Sequence, residues 1–143
     1  MAEQPTESGQ AWVAEHARSY VESGGADGHD WRGVPTLLLT VRGRSSGKLR
    51  RTALIYGTDG DNYLIVASYG GAPEHPQWYR NLVAEPEVTV QVKDNVFPAV
   101  ARTASAEERA RLWPQMAAIW PDYDNYQTKT DREIPIVILE PTH

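Results

Sequence analysis

The 143-residue chain contains no cysteine. Disulfides and thiol chemistry are thereby excluded, and an intracellular location is permitted. Its four histidines, His16, His29, His75 and His143, are scattered without ligand spacing, so no metal site is expected. No apolar run approaches the ~20 residues that cross a bilayer, and no signal-peptide pattern opens the sequence. The Gly-x-Gly-x-x-Gly fingerprint is missing, as is the strand–helix alternation of a doubly wound parallel sheet, which weighs against a nicotinamide site of that kind. A net charge of −5 argues against general nucleic-acid binding. A chain of this length makes one domain that buries roughly 70% of its unfolded surface without metal or disulfide.

The positive charge that is present is gathered in one place. Residues 42–51 read Arg-Gly-Arg-Ser-Ser-Gly-Lys-Leu-Arg-Arg, with five cations and no anion in an otherwise acidic protein. Gly43 and Gly47 flank Arg44-Ser45-Ser46 and let the backbone turn and present its N–H groups. The serines add hydroxyl donors, and Arg44, Lys48, Arg50 and Arg51 add charge. This is the composition of an anion cradle. It is not a Walker A loop, being one residue short between the glycines and lacking Ser or Thr after Lys48. Composition alone leaves a solvated hairpin tip equally open.

Around this loop the pattern is mainly β. Apolar or alternating runs over 36–41, 52–56, 63–68, 88–92, 96–102 and 134–139 predict six strands. Asp59-Gly60-Asp61-Asn62 and Lys93-Asp94-Asn95 predict hairpin turns. Pro135 starts the last strand or puts it at an edge. Helical spacing of Trp12, Val13, His16, Ala17 and Tyr20 predicts a helix over 10–22, after a frayed start over 1–10, and 28–33 reads as loop. A second helix spans 76–84, opened by Pro76. A capping box, Ser105 with Glu108, opens a third that runs toward Trp120 and is kinked or divided at Pro114. The expected architecture is α+β, mainly β: a barrel of about six mostly antiparallel strands with peripheral helices. Residues 1–30 form an N-terminal helix and loop, and 31–143 a single barrel domain.

Two further segments carry chemistry. Ser68-Tyr69-Gly70-Gly71-Ala72 ends a buried strand, and paired glycines admit a flat ligand close to the backbone, or simply make a loop. Trp78, Tyr79 and Leu82 on the following helix suit a core face. Trp113, Trp120, Tyr123 and Tyr126 crowd together near the C-terminus. Trp120, Tyr123 and Tyr126 share a face if that stretch is helical. A core stripe is the simpler reading, but Pro121, Asp122, Asp124 and Asn125 make the stretch polar and favour a partly exposed aromatic wall.

Leu37-Leu38-Leu39-Thr40, the Gly43-Arg44-x-Ser46-Gly47 loop, and Pro76-x-Trp78-Tyr79-x-Asn81-Leu82 followed by Pro86, Val88 and Val90 together resemble the deazaflavin (coenzyme F420)-dependent nitroreductases. So do Trp113-Pro114, Tyr123-x-x-Tyr126-Gln127, Thr130-Asp131-Arg132 and Ile134-Pro135-Ile136-Val137. The resemblance covers about residues 31–141 in order. It implies a split β-barrel that binds F420 rather than FMN. Arg44, Ser45, Ser46, Lys48 and Arg50 would grip the phosphate and polyglutamate tail. Val66, Ala67, Ser68, Tyr69, Gly71, Trp78 and Asn81 would hold the deazaflavin and linker. Trp120, Tyr123 and Tyr126 would line the acceptor pocket. Ser45 and Tyr69 stand where the family commonly has basic residues, and Trp120 where it commonly has tyrosine.

The implied reaction is hydride transfer from reduced F420 to an electron-poor small molecule: a quinone, an enone or unsaturated lactone, or a nitroaromatic. Tyr126, Tyr123 and Ser68 are the candidate catalytic residues, hydrogen-bonding the acceptor's oxygen, with Tyr126 or water delivering the proton. The alternatives are an FMN-binding oxidoreductase on the same barrel and a non-catalytic carrier of F420 or another anionic ligand. The expected protein is a cytoplasmic monomer that binds no nucleic acid and touches a membrane only if its acceptor is a lipid quinone.

Overall fold

The computed structural model describes residues 6–7, 20–21, 23, 29–31 and 34–142. Along these residues run the strands β1 (Thr6–Glu7), β2 (Asp30–Trp31), β3 (Val34–Arg42), β4 (Leu49–Ile55), β5 (Gly57–Asp59) and β6 (Asn62–Val66). Then come helix α1 (Gln77–Ala84), strands β7 (Glu87–Val92) and β8 (Asn95–Thr103), helices α2 (Ala106–Ile119) and α3 (Asp122–Thr128), and strand β9 (Ile136–Pro141). The sheet order is β1-β4-β3-β7-β8-β9-β6-β5, with β2 beside β3. Every pairing is antiparallel except β1 with β4.

Closure follows from one residue. Only Tyr56 separates β4 from β5, yet β4 pairs with β3 and β5 with β6, at opposite ends of the seven longer strands. The Tyr56 N–H still donates to Pro35 O at 3.2 Å, and Gly57 then pairs with Leu64. A single extended run thus belongs to both sides of the sheet and curls it into a half-barrel. Gly57 lies close under α2 at this crossing: a Cβ there would stand 2.7 Å from Met116 Sδ, and that side chain would have to shift.

Alternation sorts the side chains into two cores. Leu37, Leu39 and Val41 of β3, Ile65 of β6, Val88 and Val90 of β7, Ala99 and Ala101 of β8, and Val137 and Leu139 of β9 fill the barrel interior with Leu82 of α1. The other faces of β6 and β9, Leu64, Val66, Ile136 and Ile138, pack outward against Leu112 and Met116 of α2 and Tyr123 of α3. Strands β6 and β9 are covered on both faces, and for that reason they read as continuous apolar runs. Each fully buried Leu or Ile here contributes roughly 1.5–3 kcal/mol. Strands β7 and β8 have one wet face, so Glu87, Thr89, Pro98 and Val100 are exposed.

Both predicted hairpins form, closed by Asp59 with Asn62 and Val92 with Asn95; Gly60 (φ 61) and Lys93 (φ 56) take the left-handed conformation in the two turns. The capping box also forms. Ser105 Oγ accepts from Glu108 N at 3.2 Å, and Glu108 Oε1 accepts from Ser105 N at 2.9 Å. Strand β9 starts just after Pro135, as the proline requires.

Four features depart from the sequence expectations or add to them. Pro114 lies inside an undivided α2, and the break comes at Trp120–Pro121. Of the stretch 1–10, expected to fray, only Thr6–Glu7 lie among the described residues, and they pair with Arg50–Arg51. Asp30–Trp31, expected in a loop, pairs with Val34–Pro35. The short β5 was not foreseen; three residues after Tyr56 carry no pattern of their own. The helix expected over 10–22 lies mostly outside the described residues, though Tyr20, Val21 and Ser23 are helical. Tyr20 is fully buried, donates to Thr36 O at 3.0 Å and accepts from Lys93 N at 2.6 Å. It anchors that segment to the barrel end opposite the basic loop.

Candidate functional site

The strand registers put the segments with chemical character at one end of the barrel. Arg42 faces Leu49 across the basic loop, Thr40 faces Thr89, Thr103 faces Val137, and Val66 faces Ile136. The 43–48 loop and the chain leaving β6 emerge together at this end. Helix α1 covers it, with Leu82 buried in the inner core and Trp78 and Tyr79 packed on that core.

The loop is built by its own backbone. Gly43 N–H donates to Lys48 O at 2.8 Å, and Gly47 N–H donates to Gly43 O at 2.9 Å. Gly47 has φ 70, a conformation that disfavours any side chain. Lys48 N–H donates to Ser46 Oγ at 3.2 Å, and the Arg42 guanidinium caps Gly47 O. From α1, Asn81 Oδ1 accepts both Arg44 N at 3.2 Å and Arg44 Nη1 at 2.7 Å. Asn81 is only 4% exposed, so the loop is locked to the helix through a buried amide. Arg44, Lys48 and Arg50 have no carboxylate partner among the described residues. Arg51 is partly buried, and desolvation lowers its pKa.

Beyond β6 the chain makes a tight 3-10 turn over Tyr69–Gly71. Tyr69 holds φ 48 and is 54% exposed, an unusual backbone state for an aromatic residue. Gly71, at φ 82, lies against α3, where a Cβ would come within 2.6 Å of Tyr126 O. Arg132 braces the turn from beneath: Nε donates to Ala72 O at 2.8 Å, Nη1 to Ala67 O at 3.1 Å and Nη2 to Ser68 O at 2.6 Å. Nη1 also meets His75 Nδ1 at 3.1 Å. Burial, then Arg132 and Arg80, lower the His75 pKa, and since a guanidinium can only donate, Nδ1 is the acceptor in this contact.

The aromatic segment divides in two. Tyr123 is 5% exposed and belongs to the outer core, and burial pushes its phenol pKa up. Tyr126 is half-buried against it at 6.2 Å between ring centres. Trp120 precedes α3 in extended backbone, so helical spacing does not relate it to the tyrosines; its Nε1 still reaches Tyr126 Oη at 3.4 Å. Lys129 Nζ lies 5.7 Å from the Tyr126 ring centre. The half-exposed wall is therefore Trp120 and Tyr126, with Tyr123 behind it.

Of the residues singled out in sequence, Arg44, Ser45, Ser46, Lys48 and Arg50 share the exposed loop and the strand that follows it. Ser68, Tyr69 and Gly71 form the turn, and Trp78 and Asn81 lie on α1. Val66 and Ala67 are buried, and the Val66 side chain points into the outer core, leaving only backbone to face a ligand. In the sequence Arg132 stands out only within the Thr130-Asp131-Arg132 motif, without a role of its own. Its contacts with 67–75 join segments 57 to 65 residues apart, and no local pattern encodes them.

Fold and site together define a split-barrel protein with a cationic loop, whose Arg44, Lys48 and Arg50 have no carboxylate partner among the described residues, beside an aromatic-walled turn. The family model described as F420H(2)-dependent quinone reductase matches residues 12–141, and the chain belongs to that family. An F420H(2)-dependent quinone reductase of Mycobacterium tuberculosis is 41% identical over 128 residues, spanning 87% of this chain and 86% of the relative. A solved F420-H2 dependent reductase superimposes with a TM-score of 0.69 at 45% identity, covering 74% of this chain and 94% of that one. Another solved relative, described as a domain-swapped dimer, gives a TM-score of 0.72 at 41% identity, covering 93% and 100%. The expected split barrel, F420 dependence and oxidoreductase class stand. The expected monomer has no support from these relatives. Among the described residues no helix is long and apolar enough to cross a membrane.

Proposed function

We propose that this chain passes a hydride from reduced F420 to a quinone-class acceptor at the end of the barrel where the basic loop, the Tyr69–Gly71 turn and α3 meet. The observation that carries the reading is the set of cations without carboxylate partners, Arg44, Lys48 and Arg50. Clustered like charges cost repulsion until an anion joins them. A tail with a phosphodiester and several carboxylates matches that need, and Ser45 and Ser46 add neutral donors.

The reduced cofactor, when bound, supplies a hydride; with one proton this converts a quinone to a hydroquinone. The rest falls to the protein. Arg44, Ser45, Ser46, Lys48 and Arg50 hold the tail. The backbone of Val66 to Gly71, with Tyr69 and Trp78, holds the ring end. Asn81 acts through Arg44, whose guanidinium it orients. Trp120 and Tyr126 form the acceptor's wall, and Tyr123 supports Tyr126 from the core. The hydroxyls of Ser68 and Tyr126 donate to the acceptor oxygen where negative charge builds, and Tyr126 or water provides the proton.

The test is single-turnover oxidation of bound reduced F420 by menadione, in wild type and Tyr126→Phe. Loss of one oxyanion donor slows such a step by about 10²-fold. The expected variant is at least tenfold slower, with unchanged melting temperature and F420 affinity. A normal hydride-transfer rate would remove the hydroxyl from the reaction, and no turnover in wild type would remove the reading.

A further inference from the structure

We propose that Arg132 is a positioning residue that sets the affinity of the ring-binding turn and has no part in holding the cofactor's tail. The inference rests on the functional reading above and assigns a residue that touches neither the loop nor the wall.

Three carbonyls, those of Ala67, Ser68 and Ala72, converge on one guanidinium. They come from both legs of the turn. A planar, rigid set of donors therefore fixes the peptide planes of the two legs relative to each other. No cis peptide occurs among the described residues, so the N–H edges of the 67–68 and 68–69 peptides face away from Arg132. Tyr69 needs this restraint. A side chain in the left-handed region is unfavourable, and such a state persists only when its surroundings hold it.

Arg132 is itself anchored to the outer layer. Its N–H donates to Thr130 Oγ1 at 3.3 Å, and its carbonyl accepts Gln127 Nε2 at 2.8 Å. Gln127 Oε1 in turn accepts Arg109 Nη2 at 2.8 Å and Ile134 N at 2.9 Å. Gln127 follows Tyr126 on α3, so hydrogen bonds through Gln127 and Arg132 join the helix that carries Tyr126 to the Tyr69–Gly71 turn. No carboxylate pairs with Arg132 among the described residues. Its donors are spent on three carbonyls and on His75 Nδ1, which is the pattern of a brace. A lysine in its place would keep the charge and lose the planar geometry.

The experiment compares wild type, Arg132→Lys and Arg132→Gln by titration with two ligands, oxidised F420 and a tail-less deazaflavin that keeps the ring and ribityl chain only. The expected result is that both ligands bind at least tenfold more weakly to both variants, by the same factor. Arg50→Ala, as the contrast, should weaken F420 and leave the tail-less ligand unchanged. Melting temperatures of Arg132→Lys and Arg132→Gln within a few degrees of wild type, beside the tenfold loss of affinity, separate a positioning role from a merely structural one, which would lower both together. Tail-less affinity within twofold of wild type in Arg132→Lys would overturn the proposal. So would loss of folding in both variants, because Arg132 would then be a determinant of the fold. Wild type that binds neither ligand would overturn the functional reading itself.

Discussion

Two groups of cations in this protein have opposite surroundings. On the flank of the barrel, Arg102 places Nη1 and Nη2 on the Glu108 carboxylate, each at 2.8 Å, and Nε on Glu140 at 3.2 Å. Arg111 grips Asp59 through two contacts at 3.1 and 3.2 Å. Arg109 donates to Ile134 O at 2.9 Å while its guanidinium lies 4.5 Å over the Trp113 ring. At the end of the barrel, Arg44 is held by an uncharged amide, and Lys48 and Arg50 have no ion pair among the described residues. The flank arginines tie helices and hairpins to strands, and their charge is already answered. The loop is positioned by its backbone and by Asn81, and its Arg44, Lys48 and Arg50 have no carboxylate partner among the described residues. The two groups differ in neighbours, not in residue type, and only the second has something to gain from binding an anion.

The comparison breaks if loop and flank respond alike to substitution. The largest expected effect is on the loop. Arg50→Ala should weaken F420 by about 1.5–3 kcal/mol, the range for a charge-assisted contact, with little change in melting temperature. Added salt should weaken wild type more than the variant, since screening acts on the charge that was removed. An unchanged F420 affinity would make Arg50 solvated surface. FMN sharpens the same contrast: lacking the polyglutamate tail, it should bind at least ~10-fold more weakly than F420, about 1.4 kcal/mol. Equal or tighter FMN binding would mean the loop does not read the tail.

A smaller effect is expected on the flank. Arg102→Ala should leave F420 affinity unchanged and lower the melting temperature by no more than about 4 °C, as for an exposed ion pair. A tenfold loss of cofactor affinity there would erase the distinction between the two groups.

The smallest is a pH effect. Hydrogen bonds from Arg102 and from the Ser105 backbone hold the Glu108 pKa at about 2, below its ordinary 4.5. A carboxylate depressed in the folded state adds stability above its unfolded pKa, and that stability is lost as pH falls through its folded one. Melting temperature should therefore drop between pH 4.5 and about 2 in wild type, and less steeply in Glu108→Gln. Parallel curves would show that the pair adds nothing to the fold.

Features whose causes lie within a few residues were legible in the sequence. The Ser105–Glu108 cap, the Asp59–Asn62 hairpin and the apolar run of β3 are of this kind, since capping, turn geometry and alternation are local. The clustered charge of residues 42–51 was equally plain, and so was the family resemblance, whose motifs occur in order along the chain. What the sequence could not supply depends on contacts between distant segments. Whether Tyr123 or Tyr126 stands exposed is decided by which face of α3 meets β6 and β9. Arg44 meets Asn81 across 37 residues, and Arg132 meets Ala67 across 65. The crossing at Tyr56 that curls the sheet likewise needs β3 and β6 in place on either side. Composition and periodicity determined that this chain would be a mainly β domain with a cationic loop. Only the closed sheet decided which cations would find a carboxylate and which would not, because that depends on the positions of neighbours brought together from distant parts of the chain.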